Sequence, residues 1–253
     1  MVLTAFLTYA ADTTKILIIG QSNAAGRALL DGDTLTTPGI YMYCKGEIVP
    51  ANEPVGRCSP HEGGAAKKGF SMACARHLQT LGHDEILLVN YAMGGSSINQ
   101  WLRSLLGIAI AVTDTIGEFD YVLWHQGEND AMDSTQASMY SARLDTLMRF
   151  VKDTLDCPII CGEIGHWWDG VSYHPELVNG AIRSHRHVSS EGLTPIDSWH
   201  FDFESCESLG VRFAEEIGPK TKPSRIAIAL KKYLPPPLCN LMGLVKIVLN
   251  RHS

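Results

Sequence analysis

The chain alternates short apolar runs with longer stretches whose apolar residues recur three and four positions apart. The first run, Ile16 to Ile19, ends on Gly20 and reads as a fully buried strand. In Gly69 to Gly82, helical spacing joins Phe70, Ala73, Cys74, His77, Leu78 and Leu81, and the stretch closes on glycine as helices often do. A strand over Glu85 to Ala92 follows, then a helix over Ile98 to Ile116 and a strand over Tyr121 to Gln126. A long helix over Thr135 to Leu155 leads to a fourth strand, Pro158 to Glu163. Buried strands alternating with helices predict a doubly wound parallel sheet covered on both faces, a three-layer α/β/α sandwich.

Two regions break this rhythm. Between Leu30 and Lys68 the chain is rich in Gly, Pro and short polar residues without a period, which predicts a long irregular excursion suited to a substrate rim. Beyond Lys220 the pattern changes again: Pro235 to Pro237 interrupt the chain, and the apolar run Leu238 to Leu249 is shorter than the roughly 18 residues of a membrane span. The expected organisation is an N-terminal extension over 1–14, one domain over 15–220 and an appendage over 221–253. That appendage is expected to pack on the domain, dock a partner or act as a weak surface anchor. No internal repeat is visible.

Composition narrows the function classes. A length of 253 residues with 45% hydrophobic residues suffices for one large core. The net charge of −6, with scattered basic residues, leaves no electrostatic footprint for nucleic acid. Seven cysteines without paired C-x-x-C spacing fit neither a disulfide framework nor a zinc site, and free cysteine in apolar segments behaves as a small hydrophobe. The N-terminal run has the size of a signal h-region, with Ala10-Ala11 as a cut, but lacks a basic n-region, so the sequence fits a cytoplasmic or a secreted protein.

Candidate chemistry gathers where the strands end, as ligands do in sheets of this type. After the first strand comes "GQSNAAGR". Its glycine spacing is wrong for a phosphate-binding loop, because Gly20 and Gly26 enclose five residues and Arg27 precedes Ala28. A nucleophile elbow would need glycine where Ala24 stands. Ser22 is thus a serine at a strand end, a nucleophile or a turn residue. The second strand leads into "MGGSS", where Gly94 and Gly95 permit either a tight turn or close backbone approach to a developing oxyanion. The third leads into "HQGEND", crowding Gln126, Glu128, Asn129 and Asp130 around Gly127; an amide there is an oxyanion donor, and Asn129 or Asp130 also suits a helix cap. Late in the chain, Asp197 and His200 stand three apart ahead of a helical pattern, a spacing that lets the carboxylate orient the ring and leaves Nε2 as a general base. His185 and His187, two apart on an expected helix, point to different faces and do not share a metal.

Four blocks in this order, "GQSN", "GGSS", "HQGEND" and "D-x-x-H-F", resemble the SGNH hydrolase superfamily, and within it carbohydrate esterases of the sialate O-acetylesterase and acetylxylan esterase type. The resemblance spans Lys15 to Gly218 and implies the flavodoxin-like SGNH fold. It implies Ser22 as nucleophile, His200 as base and then acid, and Asp197 as the residue that orients it. It further implies an oxyanion hole from the backbone N–H of Ser22 and of Gly94 or Gly95 plus one side-chain amide. The wider superfamily points to Asn129 for that amide and this esterase branch to Gln126, which is the preferred choice. Gln21, Asn23 and Glu128 are expected substrate contacts, as are Trp167 and Trp168, whose flat faces suit sugar rings.

The expected reaction removes an O-acetyl group from a carbohydrate, sialic acid or a plant polysaccharide such as xylan, through an acetyl-serine intermediate, with no metal or organic cofactor. Alternatives are an SGNH lipase or thioesterase on other acyl esters, and a non-catalytic carbohydrate-binding relative. The expected partner is the acetylated carbohydrate alone, with neither nucleic acid nor a transmembrane segment. Oligomeric state is not legible.

Overall fold

Strands that are apolar on both faces need cover on both faces, and the arrangement of the chain follows from that requirement. The computed structural model describes residues 12–32, 34–62, 64–167 and 172–220. The expected appendage 221–253 and most of the expected extension 1–14 lie outside the described residues.

Strand β1 (Thr14–Gly20) runs into a one-turn helix, α1 (Ser22–Ala25). A hairpin follows, β2 (Ile40–Cys44) and β3 (Glu47–Pro50), and then helix α2 (Ser71–Thr80) and strand β4 (Ile86–Asn90). The next helical stretch is divided into α3 (Ile98–Gln100), a π-helical turn over Trp101–Leu105, α4 (Leu106–Ala111) and α5 (Thr113–Ile116). Strand β5 (Tyr121–His125) leads to the short α6 (Glu128–Ala131) and the long α7 (Ser134–Leu155). Last come β6 (Ile159–Gly162), α8 (Pro175–Ile182), β7 (His187–Val188) and α9 (Phe203–Ile217).

The sheet order is β3-β2-β4-β1-β5-β6-β7, parallel throughout except for β3. Side chains of a strand alternate between faces, and β1 shows what this does here. Ile16 and Ile18 enter the core shared with α2 and α9, whereas Leu17 and Ile19 enter the one shared with α4, α7 and α8. This is the doubly wound three-layer α/β/α sandwich expected from the apolar runs. Among the described residues, no helix is long and apolar enough to cross a membrane.

The structure departs from the sequence reading in four places. The excursion over Leu30 to Lys68 is not wholly irregular, because β2 and β3 extend one edge of the sheet. In "IYMYC" only Ile40 and Met42 are buried, so the strand carries a mixed rather than a solid apolar signal. Cys44 and Cys58 form a disulfide within this excursion, Cα atoms 4.6 Å apart, one pair where the cysteine pattern was read as fitting no disulfide framework. Spacing alone could not reveal it, since pairing depends on the fold bringing the end of β2 beside the turn Val55–Cys58. Cys74, Cys157, Cys161 and Cys206 are free and buried, as apolar cysteines tend to be. The helix expected over Ile98 to Ile116 contains the π-helical turn, where Trp101 is buried and its Nε1–H donates to Ser96 Oγ at 2.9 Å. Finally, His185 and His187 are not on a helix: α8 ends at Ile182 and His187 lies in β7.

Candidate active site

Strand β1 is central, with β4 on one side and β5 on the other, and their three carboxyl ends open onto the same crevice. Gly20 makes the exit from β1 possible. Its φ is +136°, and an added Cβ would collide with the His125 backbone. The neighbouring strand comes close enough for Gln21 N–H to donate to His125 O at 2.9 Å.

Ser22 follows directly, opening α1. Its Oγ lies 3.0 Å from His200 Nε2, and His200 Nδ1 lies 2.8 Å from Asp197 Oδ2. A carboxylate only accepts, so Asp197 takes the Nδ1–H and the Nε2 lone pair faces the serine hydroxyl. Burial pushes the Asp197 carboxyl upward, but hydrogen bonds from the His200 ring and from the Trp199 and His200 N–H groups outweigh it and hold the group below its ordinary value. The two residues share a loop just before α9, whose N-cap Asp202 accepts from Ser205 N–H.

The pocket beside Ser22 has a volume of about 470 Å³. Gln21, Ser22, Gly94, Gly95, Glu128, Asn129 and His200 all line it, so most of the residues proposed from four separate segments converge here. Their backbone and amide donors are not equally available. Gly94 N–H donates to Glu62 Oε1, while Glu62 Oε2 holds Arg27 Nη2 at 2.5 Å. Gly95 N–H has no such partner among the described residues. Asn129 is exposed at the pocket edge, and its Nδ2 donates to Gly95 O at 2.9 Å.

Gln126 is turned elsewhere. Fully buried, its Nε2 reaches Asp130 Oδ2 at 2.6 Å, Ser96 O at 2.9 Å and Gln21 Oε1 at 3.1 Å. Gln21 Oε1 also accepts the N–H groups of Gly127 and Asn129, at 3.2 and 3.3 Å, which ties the serine turn to the start of α6. Asn23 does not line the pocket; it is buried beneath it, with Nδ2 donating to Glu128 Oε1 at 2.5 Å.

Glu128, on the pocket lining, and His125, behind it, are both buried titratable groups. Burial pushes the Glu128 carboxyl up to about 7, against the hydrogen bond from Asn23, and pushes the His125 imidazole down to about 4. They lie 3.9 Å apart, Nδ1 to Oε1. Near neutral pH the histidine is therefore uncharged.

Trp167 does not line this pocket, where it was expected to meet the substrate. Trp167 packs edge-on against Phe201 with ring centres 5.0 Å apart, and lines a second cleft of about 430 Å³ with Glu163, Arg183 and Ser189. Trp168 lies outside the described residues. Pocket residues that sequence reasoning missed include Arg27, Glu62 and Trp199. Arg27 and Trp199 sit inside motifs already singled out; Glu62 lies in the excursion and carried no local signal.

A search of curated proteins finds no match. Among solved structures, a protein of Arabidopsis thaliana is similar at 25% identity and a TM-score of 0.71, over 81% of this chain and 96% of that one. NanS is similar at 18% identity and a TM-score of 0.61, over 81% of this chain and 96% of its own. Axe2, an acetylxylan esterase from Geobacillus stearothermophilus, follows at 19% identity and 0.51, over 84% and 97%. The last two likenesses bear on the fold alone. Residues 13–218 match the family described as carbohydrate esterase, sialic acid-specific acetylesterase, a match that takes in β1 through α9, and the chain belongs to that family.

Proposed function

We propose that this protein is a serine esterase that removes O-acetyl groups from carbohydrates through an acetyl-serine intermediate. The observation that carries the reading is the continuous chain from Ser22 Oγ to His200 Nε2, at 3.0 Å, and from His200 Nδ1 to Asp197 Oδ2, at 2.8 Å. Serine is a weak nucleophile until a base removes its proton, and this order of groups supplies that base together with a carboxylate to orient it.

In the proposed reaction His200 Nε2 takes the proton as Ser22 Oγ attacks the acetyl carbonyl. The protonated ring then gives that proton to the departing sugar oxygen as the C–O bond breaks. Water, deprotonated by His200, attacks the acetyl-serine and releases acetate, restoring Ser22. The oxyanion is assigned to the N–H groups of Ser22 and Gly95 and to Asn129 Nδ2. Gly95 is favoured over Gly94, whose N–H is held by Glu62, and Asn129 over Gln126, whose amide is committed below the pocket floor. One such donor is worth on the order of 3 kcal/mol in hydrolases.

Membership of an acetylesterase family supports an acetylated glycan as substrate, and a pocket wall bearing Arg27, Glu62 and Glu128 suits a hydroxylated substrate better than a long acyl chain. Hydrolysis of p-nitrophenyl acetate and p-nitrophenyl octanoate by the wild type and by Ser22→Ala tests the proposal. Strong preference for acetate, with turnover abolished by the substitution, is the expected result, and acetylated sialic acid and acetylated xylan are the next substrates. Preference for octanoate would move the assignment to a lipase-like activity. Equal turnover by Ser22→Ala would remove Ser22 from the chemistry.

A further inference from the structure

Asn23 sits next to the proposed nucleophile, yet 3% exposed and with both polar atoms engaged it has nothing left to offer a substrate. Its partners are informative. Nδ2 donates to Trp199 O at 3.0 Å, and Oδ1 accepts from Phe201 N–H at 3.2 Å. Trp199 and Phe201 are the residues on either side of His200, so one carboxamide grips the backbone on both sides of the proposed base. The second N–H of the amide goes to Glu128 Oε1 at 2.5 Å, which fixes the orientation of the side chain.

Several hydrogen bonds next to His200 are of a different kind. Asp197 Oδ1 accepts the N–H groups of Trp199 and His200, both at 2.8 Å, while its Oδ2 holds the ring. Ile196 N–H donates to His200 O at 2.8 Å, and a bridge joins Pro195 to Phe201. Each of these bonds begins and ends within the segment Pro195 to Phe201 and sets the angle of the ring. The loop is anchored further out by Ser189 and Ser190 on Glu163 and by Thr194 N–H on Ser205 Oγ at 2.7 Å, whereas Asn23 joins the residues on either side of His200 to the turn that carries Ser22. Asn23 is bonded to both the loop and the floor of the pocket, and it shares the turn of α1 with Ser22.

We propose that Asn23 is a positioning residue that registers the His200 loop against Ser22, with Glu128 holding the Asn23 amide in the gripping orientation. This deepens the esterase reading and rests on it. It also reassigns Asn23 from the substrate contact expected at first to a role one step behind the reacting atoms. Asp197 and Asn23 then divide the work: the carboxylate aims the imidazole within its loop, and the amide sets that loop over the hydroxyl.

The test compares Asn23→Ala and Asn23→Asp with the wild type, after circular dichroism and thermal unfolding establish that each is folded. The aspartate variant keeps size and an acceptor for Phe201 N–H, but turns a carboxylate oxygen toward Glu128 and the Trp199 carbonyl. Both variants should lose about 100-fold in kcat for p-nitrophenyl acetate, the scale of a misplacement near 1 Å, with KM within about threefold. Labelling of Ser22 by a fluorophosphonate should slow in parallel. The downfield proton resonance of His200 Nδ1–H should persist in both, whereas Asp197→Asn should abolish it. Should Asn23→Ala not fold, the near-isosteric Asn23→Asp decides alone. A kcat within about threefold of wild type in a folded variant overturns the proposal. So does loss of the downfield resonance along with activity, since Asn23 would then merely maintain the loop. Ser22→Ala run alongside separates the two levels: if it retains turnover, the esterase reading fails, and if it is inactive while Asn23→Ala is unaffected, only the positioning role fails.

Discussion

Replacing Glu128 by glutamine should stabilise the protein increasingly as pH rises. The carboxyl is buried at the head of α6, and one of its oxygens, Oε2, has no hydrogen-bond partner among the described residues. Burial raises the group from an ordinary 4.5 to about 7. The unfolded chain therefore gives up this proton near 4.5 while the folded one keeps it to about 7, so over that window the native state binds more protons and stability falls as pH rises. At about 1.4 kcal/mol per pH unit, full ionisation costs the fold about 3 kcal/mol, of which about 2.5 kcal/mol accrues between roughly pH 5 and pH 8. His125 opposes this in the wild type, because a ring lowered to about 4 makes stability rise with pH from there to 6.5. The ring is present in both proteins, and subtracting one stability curve from the other removes its contribution. Glutamine retains an oxygen to accept from Asn23 and has no proton to lose. Urea unfolding of both proteins at about pH 5 and about pH 8 should show the difference in ΔG moving toward the variant by about 2.5 kcal/mol. A difference that changes by less than about 0.5 kcal/mol would show that Glu128 ionises in the folded protein as it does in water, and the account of its burial would be wrong.

Other expectations follow from packing. Gly210→Ala in α9 would bring a Cβ to 2.5 Å from Phe70 O and 2.6 Å from Ala73 Cβ in the α2 region, and should cost about 1–3 kcal/mol by urea unfolding. Gly180→Ala in α8, where an added Cβ meets nothing within 4 Å, should instead stabilise by about 0.5–1 kcal/mol by the same assay. Asn90→Ala removes the donor to Ala24 O at 2.9 Å and the acceptor for Ala92 N–H at 3.0 Å, so it should lower stability by about 1–3 kcal/mol and slow fluorophosphonate labelling of Ser22. Asn129→Ala should reduce kcat on p-nitrophenyl acetate by about 100-fold or more, whereas a larger loss in a folded Gln126→Ala would return the oxyanion assignment to Gln126.

What the sequence disclosed, and what it withheld, divides along the range of the interactions. Strands β1, β4, β5 and β6 are each marked by an unbroken apolar run, because burial on both faces leaves no polar position. Asp197 and His200 are legible because three residues suffice to bring a carboxylate to its own neighbour's ring. The hairpin β2–β3 is obscured by its half-exposed face, and β7 is two residues long, too short to carry a period. Ser22 and His200 could be matched by residue type, but the grip of Asn23 on the backbone 178 positions away has no sequence signature. Gln126 shows a subtler limit: its place at the end of β5 was readable, whereas the direction of its amide depends on Asp130, Ser96 and Gln21 together.

The contribution of the excursion between β1 and α2 has a practical side. Its His61, Glu62 and Ala65 form one wall of the pocket, while Ser22, Gly95, Asn129 and His200 stand on the ends of central strands or on the loop before α9. The Arg27–Glu62 ion pair and the Gly94 N–H are where this wall is pinned to the rest. Under the proposed function, one wall of the pocket that would choose the substrate and the groups that would break the bond lie in different parts of the chain. If the proposed function holds, exchanging the stretch between Leu30 and Lys68 for that of a relative, with Glu62 kept as the anchor and Gly56 kept where it packs on Ala25, should change the glycan preference and leave Ser22→Ala inactive.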